Sequence, residues 1–70
     1  MRLSARNQFK GTVTSIQEGA VNGIVQIDIG GGNVITSTIS MASIQELGLR
    51  VGGSAYAVIK ATSVMVAADG

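Results

Sequence analysis

Seventy residues without cysteine or histidine exclude both a disulfide scaffold and a Cys/His zinc site. A formal net charge of +1 is too small for nucleic-acid binding driven by phosphate neutralisation, and no apolar stretch is long enough to span a bilayer. A domain this short buries only about 60% of the surface its unfolded chain exposes, so the 46% hydrophobic content points to self-association as the remaining source of stability.

Ten glycines punctuate the chain, no proline interrupts it, and runs rich in Val, Ile, Thr and Ser lie between the glycines. That pattern predicts short strands in an all-β domain spanning residues 1–70. The N-terminus, Met1 to Arg6, has basic residues but no apolar run behind them, so no signal peptide is expected. The first strand is predicted from Gln8 to Gln17. Phe9, Gly11 and Val13 share one face, and Ile16 breaks the alternation, which predicts a bulge or a strong bend. Glu18-Gly19-Ala20 is a connection. The second strand is predicted from Val21 to Ile29, with Val25, Ile27 and Ile29 on one face and Gln26 and Asp28 on the other. Gly30-Gly31-Gly32-Asn33 is a hairpin signal leading into a third strand, Val34 to Ile39. Ser43 and Glu46 have the spacing of a capping box and Gly48 suits a left-handed stop, so one or two helical turns are expected there. Ser40 is a competing cap that would start the helix earlier, and Ile44 and Leu47 are assigned to the buried face. A fourth strand, Ala55 to Lys60, and a fifth, Ser63 to Ala67, close the chain. Five strands with a short helix between the third and fourth is the plan of an OB-like barrel; another small barrel or sandwich is the alternative.

The residues for catalysis are missing. Without His or Cys, the candidates are Glu18, Asp28, Glu46 and Asp69, and no two of them stand out as an acid and a base. Neither a catalytic site nor a metal site held by direct cation ligands is expected. Hydrogen-bond donors, in contrast, gather in three places. Ser4-Ala5-Arg6-Asn7-Gln8 precedes the first strand; read alone, it is also an ordinary solvated arm. Ser40-Met41-Ala42-Ser43 flanks the helix start, where unpaired N–H groups favour an anion, although both serines also suit plain capping. Lys60-Ala61-Thr62-Ser63 ends an apolar strand; Lys60 reads either as an edge charge or as positive charge for a site at a subunit boundary.

At these three places the sequence resembles the molbindins, or Mop domains. The resemblance rests on Ser4-Ala5-Arg6-Asn7-Gln8-Phe9-Lys10-Gly11-Thr12-Val13, on Ile39-Ser40-Met41-Ala42-Ser43 followed by Leu47-Gly48-Leu49, and on Val58-Ile59-Lys60-Ala61-Thr62-Ser63-Val64. It covers nearly the whole chain. It implies an OB-like barrel that binds molybdate and usually tungstate and needs no cofactor; the absence of cysteine fits a reducing cytoplasm. It also implies homohexamers built as trimers of dimers, with exchanged N-terminal strands and anions at subunit interfaces. Carried over residue by residue, Ser4, Ala5 and Arg6 would come from one subunit and Ser40, Ser43, Lys60 and Ala61 from a neighbour, with Thr62 and Ser63 beside them. A second site would lie near Gly19-Ala20-Val21-Asn22, which also reads as a plain β-connection.

The chemistry of these residues agrees with such a ligand. Molybdate is a dianion that only accepts hydrogen bonds, and the proposed shell holds donors and no carboxylate. Two other readings remain open at this point. One is an OB-like nucleic-acid module, which needs stacking aromatics; Phe9 and Tyr56 are the only two aromatics and both are expected in the core. The other is a regulatory interaction domain of a molybdate transport system, which needs a separate protein partner.

Overall fold

The computed structural model describes residues 1–70. Four strands form one curled antiparallel sheet in the order β3-β2-β1-β4, giving an OB-like barrel that is open on one side. The strands are β1 (Asn7–Gln17), β2 (Asn22–Gly30), β3 (Asn33–Ser40) and β4 (Ser54–Ile59), with helix α1 (Met41–Glu46) between β3 and β4. Each predicted strand among these four lies within about two residues of its observed ends.

β1 organises the barrel because it pairs on both sides. Its N-terminal half, Asn7 to Thr12, pairs with β4, and its C-terminal half, Thr12 to Gln17, pairs with β2. The strand must bend between these halves. The register slips between Val13 and Ser15, which places the expected bulge at Thr14 and returns Ile16 to the inner face opposite Val25. Gly11 sits just before the slip. A Cβ there would collide with the Asp28 carbonyl oxygen and stand 2.7 Å from Ile27 Cγ2, so the bend requires glycine. The loop ahead of β4 docks on the same point: Val13 N–H donates to Gly53 O at 2.9 Å, and Gly52 N–H donates to Val13 O at 2.8 Å.

The hairpin between β2 and β3 turns through Gly31 and Gly32, whose φ values of 63° and 81° suit a turn with both central residues left-handed. Asp28 faces outward, and its Oδ1 accepts from Gly30 N–H at 2.8 Å. Helix α1 starts one turn earlier than the Ser43–Glu46 capping box predicts. Ser40 is the N-cap, its Oγ accepting from Ser43 N–H at 3.0 Å, and Glu46 ends the helix instead of closing a box. The predicted stop is present: Gly48 has φ 63°, its N–H donates to Gln45 O, and Leu49 N–H donates to Ile44 O. Ile44 is buried as expected, but Leu47 is exposed because it caps the last turn.

The core is small. Val13, Val25, Ile27, Ile44 and Ala57 are the buried hydrophobic residues, with Ile16, Ile29, Ile35, Ile39, Met41, Leu49 and Ala55 packed partly against them. Gly23 lets the helix approach β2, since a Cβ there would lie 2.6 Å from Ile44 Cδ1. Phe9 and Tyr56 are not core residues, being 39% and 49% exposed. The fifth strand also departs from expectation. After a short 3₁₀ turn, η1 (Ala61–Ser63), residues 64–70 make no ladder and are exposed, because nothing in the same chain offers them a strand edge there. The Cα radius of gyration is 13.0 Å, against about 11 Å for a compact chain of this length.

Candidate anion-binding site

The β1–β4 ladder brings the two ends of the chain together. Asn7 pairs with Ile59, so the residues just before β1 and just after β4 become neighbours. Between them lies a cleft of about 310 Å³ lined by Ser4, Ala5, Arg6, Lys60, Ala61 and Thr62. Every lining residue was expected at the site from sequence. Two of them are cations, two carry hydroxyls and none is a carboxylate.

Local structure holds this arrangement. Asn7 Nδ2 donates to Ile59 O at 3.2 Å, tying the two strand ends across the sheet. Gln8 Nε2 donates to Ala5 O at 2.7 Å, which fixes the turn carrying Arg6 and occupies an acceptor that would repel an anion. On the other wall, Ser63 N–H donates to Lys60 O at 2.9 Å and Val64 N–H to Ala61 O at 3.3 Å, so the Lys60–Thr62 segment is wound into a 3₁₀ turn. Asn7 and Gln8 were read only as part of a donor-rich arm. Their task of positioning the walls needs the strand pairing to be known.

Ser63 belongs to the turn but does not line the cleft. Ser40 and Ser43 lie elsewhere. Ser40 Oγ–H donates to Ser43 Oγ at 2.8 Å, and both sit at the start of α1. Asn22 pairs with Ser40, and Met41 N–H donates to Val21 O at 2.8 Å. The Gly19–Asn22 connection and the Ser40–Ser43 segment therefore form one neighbourhood, at the Gln17 end of β1, while the cleft is at the Asn7 end. Eleven residues of strand separate the two ends, roughly 30 Å at the usual rise. No single oxyanion touches both within one chain. Within one chain, residues 4–6 and Lys60–Thr62 already line the same cleft.

The aromatics bear on the nucleic-acid alternative. Phe9 pairs with Ala57 and Lys10 with Tyr56, so Phe9 and Tyr56 lie on opposite faces of the sheet. They offer no common stacking platform. No helix is long and apolar enough to cross a membrane.

The chain is similar to several known proteins. The TOBE domain family matches residues 3–66. A probable molybdenum-pterin-binding protein of Haemophilus influenzae is 64% identical over 99% of this chain and the whole of that protein. The structure of MopII from Clostridium pasteurianum superposes with a TM-score of 0.90 and 48% identity, covering 96% of this chain and 100% of that one. The cytoplasmic molybdate-binding protein ModG, with molybdate bound, gives a TM-score of 0.83 and 52% identity over 87% of this chain and 43% of ModG. The chain thus belongs to the TOBE domain family and, within it, to the molbindins, the Mop proteins.

Proposed function

We propose that this protein binds molybdate, with tungstate as an analogue, and buffers or stores it in the cytoplasm as a homo-oligomer without catalysing a reaction. The observation that carries this reading is the cleft itself, in which Arg6 and Lys60 face a common space with Ser4 and Thr62 and no carboxylate. Two cations balance a dianion, and neutral donors fix its orientation. Hydrogen bonds to charged groups are roughly twice as strong as neutral ones. The relatives support the choice of anion, since one of them, ModG, is a molybdate-binding protein with molybdate bound.

The cleft of one chain is open to solvent and larger than one tetraoxyanion. Closure by a neighbouring subunit supplies the missing wall and excludes water, which strengthens each charged contact. Ser40 and Ser43, together with the Gly19–Asn22 connection, are the donors a neighbour would bring, either to this cleft or to a second site at a subunit contact. A hexamer arranged as a trimer of dimers satisfies this requirement. Isothermal titration of the anion-free protein with molybdate, tungstate and sulfate tests the proposal. Heat on molybdate and tungstate addition, with several anions bound per oligomer, is the expected result. Flat titrations with both would refute it.

A further inference from the structure

The cationic surface extends beyond the walls of the cleft. Continuing the β1–β4 register one step past Asn7 and Ile59 sets Arg6 opposite Lys60. Lys60 keeps extended backbone, φ −61° and ψ 137°, so the alternation through Tyr56 and Val58 carries it to one face of the sheet. Lys10 lies on that same face, because it pairs with Tyr56. Lys10 is exposed and stands three residues from Asn7, about 10 Å along the strand. Arg2 is also exposed and stands two residues from Ser4, so at most about 7 Å of chain separates it from the cleft wall. Neither residue lines the cleft.

The opposite charges lie farther off. Asp28 is the one carboxylate carried by a strand, and it pairs with Thr12, five residues or about 17 Å along β1 from Asn7. At that distance it offsets about half of one rim cation at low salt, and less as salt rises. Glu18 follows Gln17, and Glu46 ends the helix that starts at that same end of the sheet. Four of the five basic residues are therefore on the cleft or within about 10 Å of it.

We propose that Arg2 and Lys10 form an outer cationic rim that tightens the cleft's hold on a doubly charged oxyanion through solvent, without contact. The inference rests on the reading of the cleft as an anion site. A unit charge acts twice as strongly on a dianion as on a monoanion, so the rim favours doubly charged ligands over singly charged ones of the same size. In water, one cation about 10 Å away strengthens dianion binding about 2.7-fold when the Debye length is about 30 Å. That gain falls to about 1.5-fold at a Debye length of about 8 Å and vanishes at about 3 Å. A residue that touches the anion out of water is screened much less.

Isothermal titration of the full chain with molybdate, at about 10 mM, 150 mM and 1 M salt, tests the rim. Arg2→Gln and Lys10→Gln combined should raise Kd about seven-fold at the lowest salt, about two-fold at the middle one and not measurably at the highest. Each substitution alone should give about 2.7-fold at the lowest salt. The charge-preserving pair, Arg2→Lys with Lys10→Arg, should bind like the parent throughout, because the field depends on charge and not on shape. Arg50→Gln should stay within two-fold, since its loop docks on Val13, about 20 Å along β1 from Asn7. Arg6→Ala, which removes a contact, should keep its deficit at the highest salt. The proposal is overturned by a neutralised rim that binds like the parent at the lowest salt, by a deficit that survives the highest, or by a charge-preserving pair that binds as weakly as the neutral one. A flat titration of the parent is a separate outcome: it refutes the cleft as an anion site, and the rim with it.

Discussion

Arg6→Ala is the substitution that most directly separates a specific anion site from general attraction. The cleft has two cations, and removing one deletes a charge-assisted hydrogen bond to a dianion. Such a bond contributes about 1.5–3 kcal/mol. At about 1.4 kcal/mol per decade of affinity, Kd for molybdate should rise by about ten-fold at least and by about a hundred-fold when a neighbouring subunit excludes water. The control is Arg50→Ala. Arg50 lies in the loop between α1 and β4, outside the cleft, and its loss changes the net charge by the same one unit. A distant charge is screened over a Debye length of about 8 Å at physiological salt, so Arg50→Ala should leave Kd within two-fold. Isothermal titration at fixed salt, with circular dichroism to confirm folding, reads both effects. The reasoning fails if folded Arg6→Ala binds within two-fold of the parent chain, or if Arg50→Ala weakens binding as much.

Three further outcomes are expected. Gly11→Ala should destabilise the protein by about 2–3 kcal/mol, since the added methyl group meets the Asp28 carbonyl and Ile27 in a closed bend; a thermal melt within 2 °C or so of the parent would refute this, given about 4–8 °C per kcal/mol for a domain of this size. Ser40→Ala should remove the N-cap of α1 and cost about 1 kcal/mol, read by urea unfolding. Ser43→Ala, which leaves that cap bond in place, should cost less. Molybdate at about a hundred times Kd should stabilise the native state by about 2.7 kcal/mol, seen as a rise in Tm of roughly 10–20 °C, and Lys60→Ala should shrink that rise at the same molybdate concentration.

Much of this architecture was legible in the sequence because local signals agree with the fold. The break in alternation at Ile16 marks the bulge, three consecutive glycines mark the hairpin, and Gly48 marks the helix stop. The helix start was ambiguous because Ser40 and Ser43 are both competent caps, and only the docking of Met41 N–H on Val21 O selects Ser40. The fifth strand was misassigned for a related reason. Its continuous apolar run encodes the capacity to pair, but a strand needs an edge, and no edge of its own chain faces it. Likewise, Phe9 and Tyr56 have core-forming composition, yet the open barrel leaves them exposed. For the cleft, sequence named every lining residue through motif resemblance. That Arg6 and Lys60 of one chain line the same cleft depends on the Asn7–Ile59 register, which local sequence does not carry.

That register has a consequence for the time at which the site comes into being. The bond that closes the cleft, from Asn7 to Ile59, spans 52 positions of sequence, and the Arg6 and Lys60 walls are hung on it. During synthesis Lys60 emerges well after Arg6, so a growing chain holds half a site until the β4 strand has been made. Contacts of such long separation form late, since loop closure must precede them. An anion therefore cannot nucleate this barrel. It acts on the finished fold, fastening the two chain ends together, and bound molybdate should slow unfolding while leaving the folding rate almost unchanged.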